Sequence, residues 1–315
     1  MNIYFAPLEG ITGYIFRNIF NEVFPGVEEY FAPFIVANKT YKFKNRELLD
    51  INPENNKNIT LIPQLLANKS EEFNFYAKEI NERFGYKEIN LNLGCPMSTV
   101  VSKHRGCGML EDLYELDCFL SDIFDFADKN NYEISIKTRL GLDDFEDIDE
   151  LMGIYNKYKM SRLIVHPRNR KDMYKNSVNI NAFKSVYELS RNELIYNGDI
   201  LTLDDFENVE ANFPQVKGIM IGRGFLINPT LVDDIKGNSL SYEEKIEKIK
   251  KFHDLYYTTI KEKMSPDAPI LFKMKEFWHY LKNYFDEDKY KKQFKQIKKC
   301  KKCSDYEETV KSIWG

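Results

Sequence analysis

A (β/α)8, or TIM, barrel carrying an all-helical C-terminal domain is the architecture expected of this 315-residue chain. Three observations lead there. Eight short runs rich in β-branched and aromatic residues recur up to about residue 224, amphipathic helical stretches separate most of them, and after about residue 235 only helical patterns remain.

The strand-like runs are NIYFAP (2–7), EYFAPFI (29–35), ITLIPQLL (59–66), KEINLNLG (87–94), YEISIKTRL (132–140), SRLIVHPR (161–168), ELIYNGDI (193–200) and KGIMIGRG (217–224). Helical spacing of apolar residues marks 70–84, 111–129 and 205–213. The polar stretch 38–58, rich in Asn and Lys, breaks the rhythm and is expected to be an irregular excursion. Beyond residue 235, SYEEKIEKIKKFHDLYYTTIKEK and LFKMKEFWHYLKNYF are helical.

Composition narrows the class. Hydrophobic residues make up 43% and charged residues 30%, and no apolar run reaches the roughly 18 residues of a membrane span. The N-terminus enters a strand at once, without the flanks of a signal peptide, so a soluble cytoplasmic protein is expected. Five cysteines without an export signal are expected to be free thiols. The net charge of −4 conceals an asymmetry: residues 240–315 carry 18 Lys against 13 acidic residues, a net of +5, leaving −9 on the rest. Eight of those Lys fall within KYKKQFKQIKKCKK (289–302), a block that either meets phosphates or is a solvated helix face.

Chemistry in such a barrel gathers at the carboxyl ends of the strands. There the sequence places Pro7-Leu8-Glu9, Gln64, Asn92 with Cys95, Lys137 with Arg139, His166 with Arg168, Asn197-Gly198-Asp199, and Gly222-Arg223. The last two loops suit a phosphate, because glycine admits close backbone approach and Arg223 offers a forked donor. The alternative for them is a plain turn and a plain helix start. Lys137 needs a partner at the mouth, either an electron-rich ring or a carboxylate such as Glu9. His166 is either a satisfied core histidine or a cofactor contact. Cys95 sits in a Gly94-Cys95-Pro96 corner where a mostly protonated thiol can donate a proton. Gly94 is expected to admit a flat cofactor. Zinc at Cys95, His104 and Cys107 matches no compact ligand spacing, so no metal is expected. Cys300-Lys-Lys-Cys303 is a lone CxxC and reads as incidental.

In order along the chain, FAPLEG, NLGCP, RGCGML, IKTRLG, VHPR, YNGDI and IGRG resemble the flavin-dependent tRNA-dihydrouridine synthases, over about residues 1–230. The tail with KMKEFWHYL is similar to that family's RNA-binding helical domain. The resemblance implies an FMN-binding catalytic barrel over 1–235 and a tRNA-binding helical domain over 240–315. It implies FMN, reduced by NADPH or NADH, passing hydride to carbon 6 of a tRNA uracil while Cys95 protonates carbon 5. By the same matching, Pro7, Leu8, Glu9, Gln64, Lys137, His166, Asn197, Gly198, Asp199, Gly222 and Arg223 contact the flavin, and Asn92 and Arg139 the uridine. The partner implied is tRNA, with no membrane, and the protein is expected to be a monomer. Trp278, Tyr280 and the Lys block are candidates for RNA contacts. The chain departs from the family pattern at Val101, at VHPR where HGR is common, and at Glu276 where His is expected. The competing readings are a flavin dehydrogenase of a free pyrimidine and a non-catalytic tRNA-binding protein.

Overall fold

Every strand-like run forms a parallel strand, and two of the runs are split at proline. In the computed structural model, which describes residues 1–145 and 148–314, the strands are β1 (Asn2–Phe5), β2 (Glu29–Phe31), β3 (Ile35–Val36), β4 (Leu61–Ile62), β5 (Gln64–Leu66), β6 (Glu88–Leu93), β7 (Glu133–Thr138), β8 (Leu163–Val165), β9 (Leu194–Tyr196) and β10 (Gly218–Ile221). Pro33 lies between β2 and β3, and Pro63 between β4 and β5. Neither has an N–H to give to a ladder, so each run continues as two pieces. β2 pairs with β4 and β3 with β5, while β1 joins β2 to β10. The remaining pairings run β5, β6, β7, β8, β9, β10. Counting each split run once, eight parallel staves close on themselves, as the sequence leads one to expect.

Alternation along the staves builds two cores. Outward residues such as Ile3, Phe5, Leu91 and Ile219 pack with the helices in one large cluster. A smaller cluster of Tyr4, Ala6, Phe31, Ile62, Ile164, Ile195 and Met220 comes from the alternate positions of the remaining staves. At the amino ends of the staves, Arg162 pairs with Glu29 and Glu88 and lies over the rings of Tyr4 and Phe31.

Helices Ser70–Phe84, Leu113–Asn130 and Leu203–Asn212 fall within two residues of their expected positions. The stretch 38–58 corrects the expectation of irregularity, since it holds a helix at Asn45–Ile51. Buried Arg17 organises it, donating to Thr12 O (2.8 Å), Asp50 O (2.7 Å) and Asn56 Oδ1 (3.1 Å) while pairing with the Asp50 carboxylate.

Four helices follow the barrel, Tyr242–Lys263, Asp267–Leu281, Glu287–Lys299 and Cys303–Trp314. The first packs Phe252 against Phe16, Phe20 and Phe24 of helix Tyr14–Val23 and its C-cap, with ring centroids 5.2, 5.7 and 5.5 Å apart. Trp278 is 3% exposed and donates Nε1–H to Tyr306 Oη (2.8 Å). It is therefore a core residue of the tail and not a surface for stacking bases. No helix among the described residues is long and apolar enough to cross a membrane.

Candidate active site

The carboxyl ends of β1, β7, β8, β9 and β10 surround a cleft. Its walls include Pro7, Leu8, Lys137, His166, Asn197, Gly198, Asp199, Gly222 and Arg223, so the fold brings together nine of the residues singled out from sequence. Glu9 stands apart, on a neighbouring groove, where it pairs with Arg46 at 3.3 Å. The carboxylate considered as a partner for Lys137 is thus engaged elsewhere. Among the described residues the titratable groups that shift Lys137 are Arg139, Cys107 and Cys95, with no carboxylate. Burial, then repulsion from Arg139, pulls the Lys137 ammonium down to about 8.

Asp199 adopts a left-handed backbone conformation, with φ of 46°. Its carboxylate accepts from Arg168 (2.7 and 3.0 Å), Arg223 (2.7 Å) and Val178 N (3.3 Å). The aspartate therefore orients two guanidinium groups. His166 Nε2 lies 2.9 Å from Arg168 Nη1. A guanidinium only donates, so Nε2 accepts and the ring proton is on Nδ1. Burial, with Lys137, Arg139, Arg168 and Arg223 nearby, pushes the His166 pKa well down and keeps it neutral at pH 7. Asn197 donates to Met220 O (2.7 Å), tying β9 to β10.

Cys95 occupies the same rim, one residue past Gly94. A Cβ on Gly94 would lie 3.4 Å from the Thr138 carbonyl carbon, so this glycine faces the end of β7 and not the cleft as expected. Gly106, with φ of 56°, is where glycine is required: a Cβ there would come within 2.8 Å of Cys95 O. Cys107 N donates to that same carbonyl (3.1 Å), closing the RGCGML loop onto the corner. Desolvation raises the Cys95 thiol, outweighing the Met97 N–H, Arg139 and Lys137, which lower it. The sulfur is protonated at pH 7 and has cations at hand for the charge left when the proton departs.

Three further predicted residues, like Cys95, lie around the cleft instead of lining it. Gln64 and Asn92 are buried in the barrel interior, bonded to each other at 2.8 Å. Arg139, 1% exposed, donates to Asn169 O and Met173 O, both at 2.7 Å, and so anchors the loop after β8. Sequence reasoning missed Tyr174 on that loop. Its ring lies 4.5 Å from the Arg223 guanidinium carbon and 5.3 Å from that of Arg139. A tyrosine in a polar loop gives no periodic signal. Arg168, visible at the stave end, was given no role although it links His166 to Asp199.

The tail completes the mouth. Lys273 donates to Gly10 O, and half-buried Tyr280 lies within electrostatic reach of Tyr174, Arg223 and Glu276.

Comparison with known proteins bears on the fold and on the family. Among solved structures, histamine dehydrogenase from Rhizobium sp. 4-9 superposes with a TM-score of 0.59 at 10% identity, covering 75% of this chain and 46% of that one. Morphinone reductase in complex with tetrahydroNAD gives 0.52 at 11%, covering 76% and 88%. At such identities the likeness is one of fold. A "Probable tRNA-dihydrouridine synthase" of Rickettsia bellii is 27% identical over 247 residues, 78% of this chain and 73% of the relative. A "Probable tRNA-dihydrouridine synthase 2" of Bacillus subtilis is 25% identical over 276 residues, 84% and 81%. The family described as Dihydrouridine synthase (Dus) matches residues 4–313, and the chain belongs to that family.

Proposed function

We propose that this protein reduces the 5,6 double bond of uridines in tRNA, using FMN reduced by NADPH or NADH, with Cys95 as the proton donor. The observation that carries the reading is a protonated, half-buried thiol at the same barrel rim as a cleft whose cations outnumber its carboxylates. Family membership and the names of the relatives supply the substrate.

The cleft suits a flavin mononucleotide by its donor set. Lys137 lacks a carboxylate among the described residues, Arg223 and Arg168 are held ready by one aspartate, and His166 presents Nδ1–H. Arg223, Gly222, Gly198 and Asn197 would hold the phosphate, and Pro7, Leu8 and Lys137 the ring. Bound there, a flavin would supply hydride for carbon 6 of the uracil. Cys95 then gives its proton to carbon 5, and the thiolate that remains is stabilised by Met97 N–H, Arg139 and Lys137. Gln64 supports the ring site from below, Glu9 borders it, and Asn92 and Arg139 flank the uridine.

In this reading residues 1–235 perform catalysis and 240–315 grip tRNA, in a cytoplasmic monomer. All eight Lys of 289–302 are exposed. Turning a uridine out of folded tRNA costs a few kcal/mol, which phosphate contacts from this block and stacking on Tyr280 offset.

The test is to incubate purified protein with NADPH and unmodified tRNA and to measure dihydrouridine by mass spectrometry, with uridine and orotate as controls. Dihydrouridine in tRNA alone, from a yellow protein with a flavin spectrum, is the expected result. Equal reduction of free pyrimidines would replace the reading with a pyrimidine dehydrogenase. A colourless protein that binds tRNA without reducing it would replace it with a binding protein.

A further inference from the structure

One side of the barrel interior is polar, where branched apolar side chains usually fill the space. Gln64, Asn90 and Ser135 are fully buried and are register neighbours across β5, β6 and β7. Glu88 and Asn92 occupy the same face of β6, one layer below and one above. Hydrogen bonds join the set. Asn90 Nδ2 donates to Ser135 Oγ (2.8 Å), Gln64 Nε2 to Asn90 Oδ1 (2.7 Å), and Asn92 Nδ2 to Gln64 Oε1 (2.8 Å). Asn92 Oδ1 then accepts from the N–H groups of Gly94 (3.1 Å) and Cys95 (2.9 Å).

The mouth end fixes the direction of this chain. At the mouth two backbone N–H groups, which only donate, demand the oxygen of Asn92. At the closed end one oxygen of Glu88 is held by Arg162, and the other, Oε1, is buried without a hydrogen-bond partner. The Ser135 hydroxyl lies beside this carboxylate, close enough to lower its proton affinity. At this end of the chain Ser135 Oγ accepts from Asn90. Reversing any one of the three amides would set oxygen against oxygen or NH2 against NH2, so the chain has one satisfied setting.

We propose that Ser135, Asn90 and Gln64 are positioning residues for Cys95: the two backbone N–H groups at the mouth set the polarity of the amide chain, and the chain holds the Asn92 oxygen against the turn that presents the thiol. This rests on the reading of Cys95 as the proton donor. Asn92 is thereby left with a single amide N–H for substrate, its oxygen and other N–H being committed to the protein.

The experiment uses the full-length, flavin-loaded protein with Cys118→Ser, since Cys118 is exposed while Cys107, Cys300 and Cys303 are buried. Iodoacetamide alkylation of Cys95 is followed by mass spectrometry across alkaline pH, alongside dihydrouridine formation at varied tRNA. For Ser135→Ala the apparent pKa of alkylation is expected to move by about half a unit or more. Its kcat is expected to fall about tenfold, with the KM for tRNA and the flavin content unchanged. Ser135→Thr, which keeps the hydroxyl, is expected to restore both, and Asn90→Leu to act in the same direction as Ser135→Ala. Wild-type alkylation and turnover in folded Ser135→Ala would overturn the proposal, as would a rise in KM in place of the fall in kcat. If Asn90→Leu does not fold, Ser135→Ala decides alone, because it removes only one oxygen. If Cys95→Ala still forms dihydrouridine, the proton-donor reading fails, whereas a shifted alkylation profile in Ser135→Ala still upholds the positioning chain.

Discussion

Among the described residues Lys137 has no carboxylate partner, so its protonation bears on how firmly the cleft holds an anion. With the ammonium at about 8, its charge is present at pH 7 and mostly lost by pH 9. The sign follows: a lysine lowered by burial is destabilised in its charged form, and a bound anion relieves that cost. Flavin affinity, measured by fluorescence quenching on refilling apoprotein, is expected to weaken about tenfold from pH 7 to 9, because only about a tenth of Lys137 stays protonated. Lys137→Met is expected to remove that pH dependence. Cys95, Lys137 and His166 were legible in the sequence because each follows an apolar run at the end of a stave. Asn90 and Ser135 were not, since a polar residue in an alternating strand reads as solvent-facing until closure turns that face inward. Gly94 was misjudged for a related reason: its neighbour is backbone from β7, which only the folded chain brings there.

Among the elements, the loop after β8 and the tail helices are each held by a few buried polar groups. In the tail, Tyr306 accepts from Trp278 and lies 2.6 Å from His253 Nε2, whose other nitrogen faces Asp254 (2.8 Å). Tyr306→Phe strands two buried groups and is expected to lower unfolding free energy by about 1–3 kcal/mol in urea titrations. Burial also lowers the His253 pKa. The unfolded chain therefore takes up this proton first, and the stability His253 contributes is lost as pH falls below about 6.5. His253→Gln is expected to flatten that part of the pH dependence of stability. Trp278 misled the sequence reading because an aromatic on an amphipathic helix has the same spacing whether it faces a core or a ligand. The staves and the long helices were legible through period and β-branching, while the helix Asn45–Ile51 depends on Arg17, more than twenty residues away in sequence.

Across the whole molecule, charge and packing divide differently. Charge separates the acidic barrel from the basic tail, and this was readable by counting residues. Packing unites them, since Phe252 and Tyr256 of the tail share a cluster with Phe16. Phe252→Ala is expected to cost about 3–5 kcal/mol and to leave a single unfolding transition with lower midpoint by fluorescence and calorimetry. Changing Lys291, Lys295, Lys298 and Lys302 to Gln is expected to weaken tRNA binding. Its salt slope should fall by about 0.7–0.9 for each lysine that meets a phosphate. The proposed reaction depends on one rim that unites the cleft with a protonated thiol. The measurement that tests it most directly is dihydrouridine yield per bound flavin in Cys95→Ala. Full flavin occupancy with no dihydrouridine is the predicted result, and wild-type yield from that variant would contradict it.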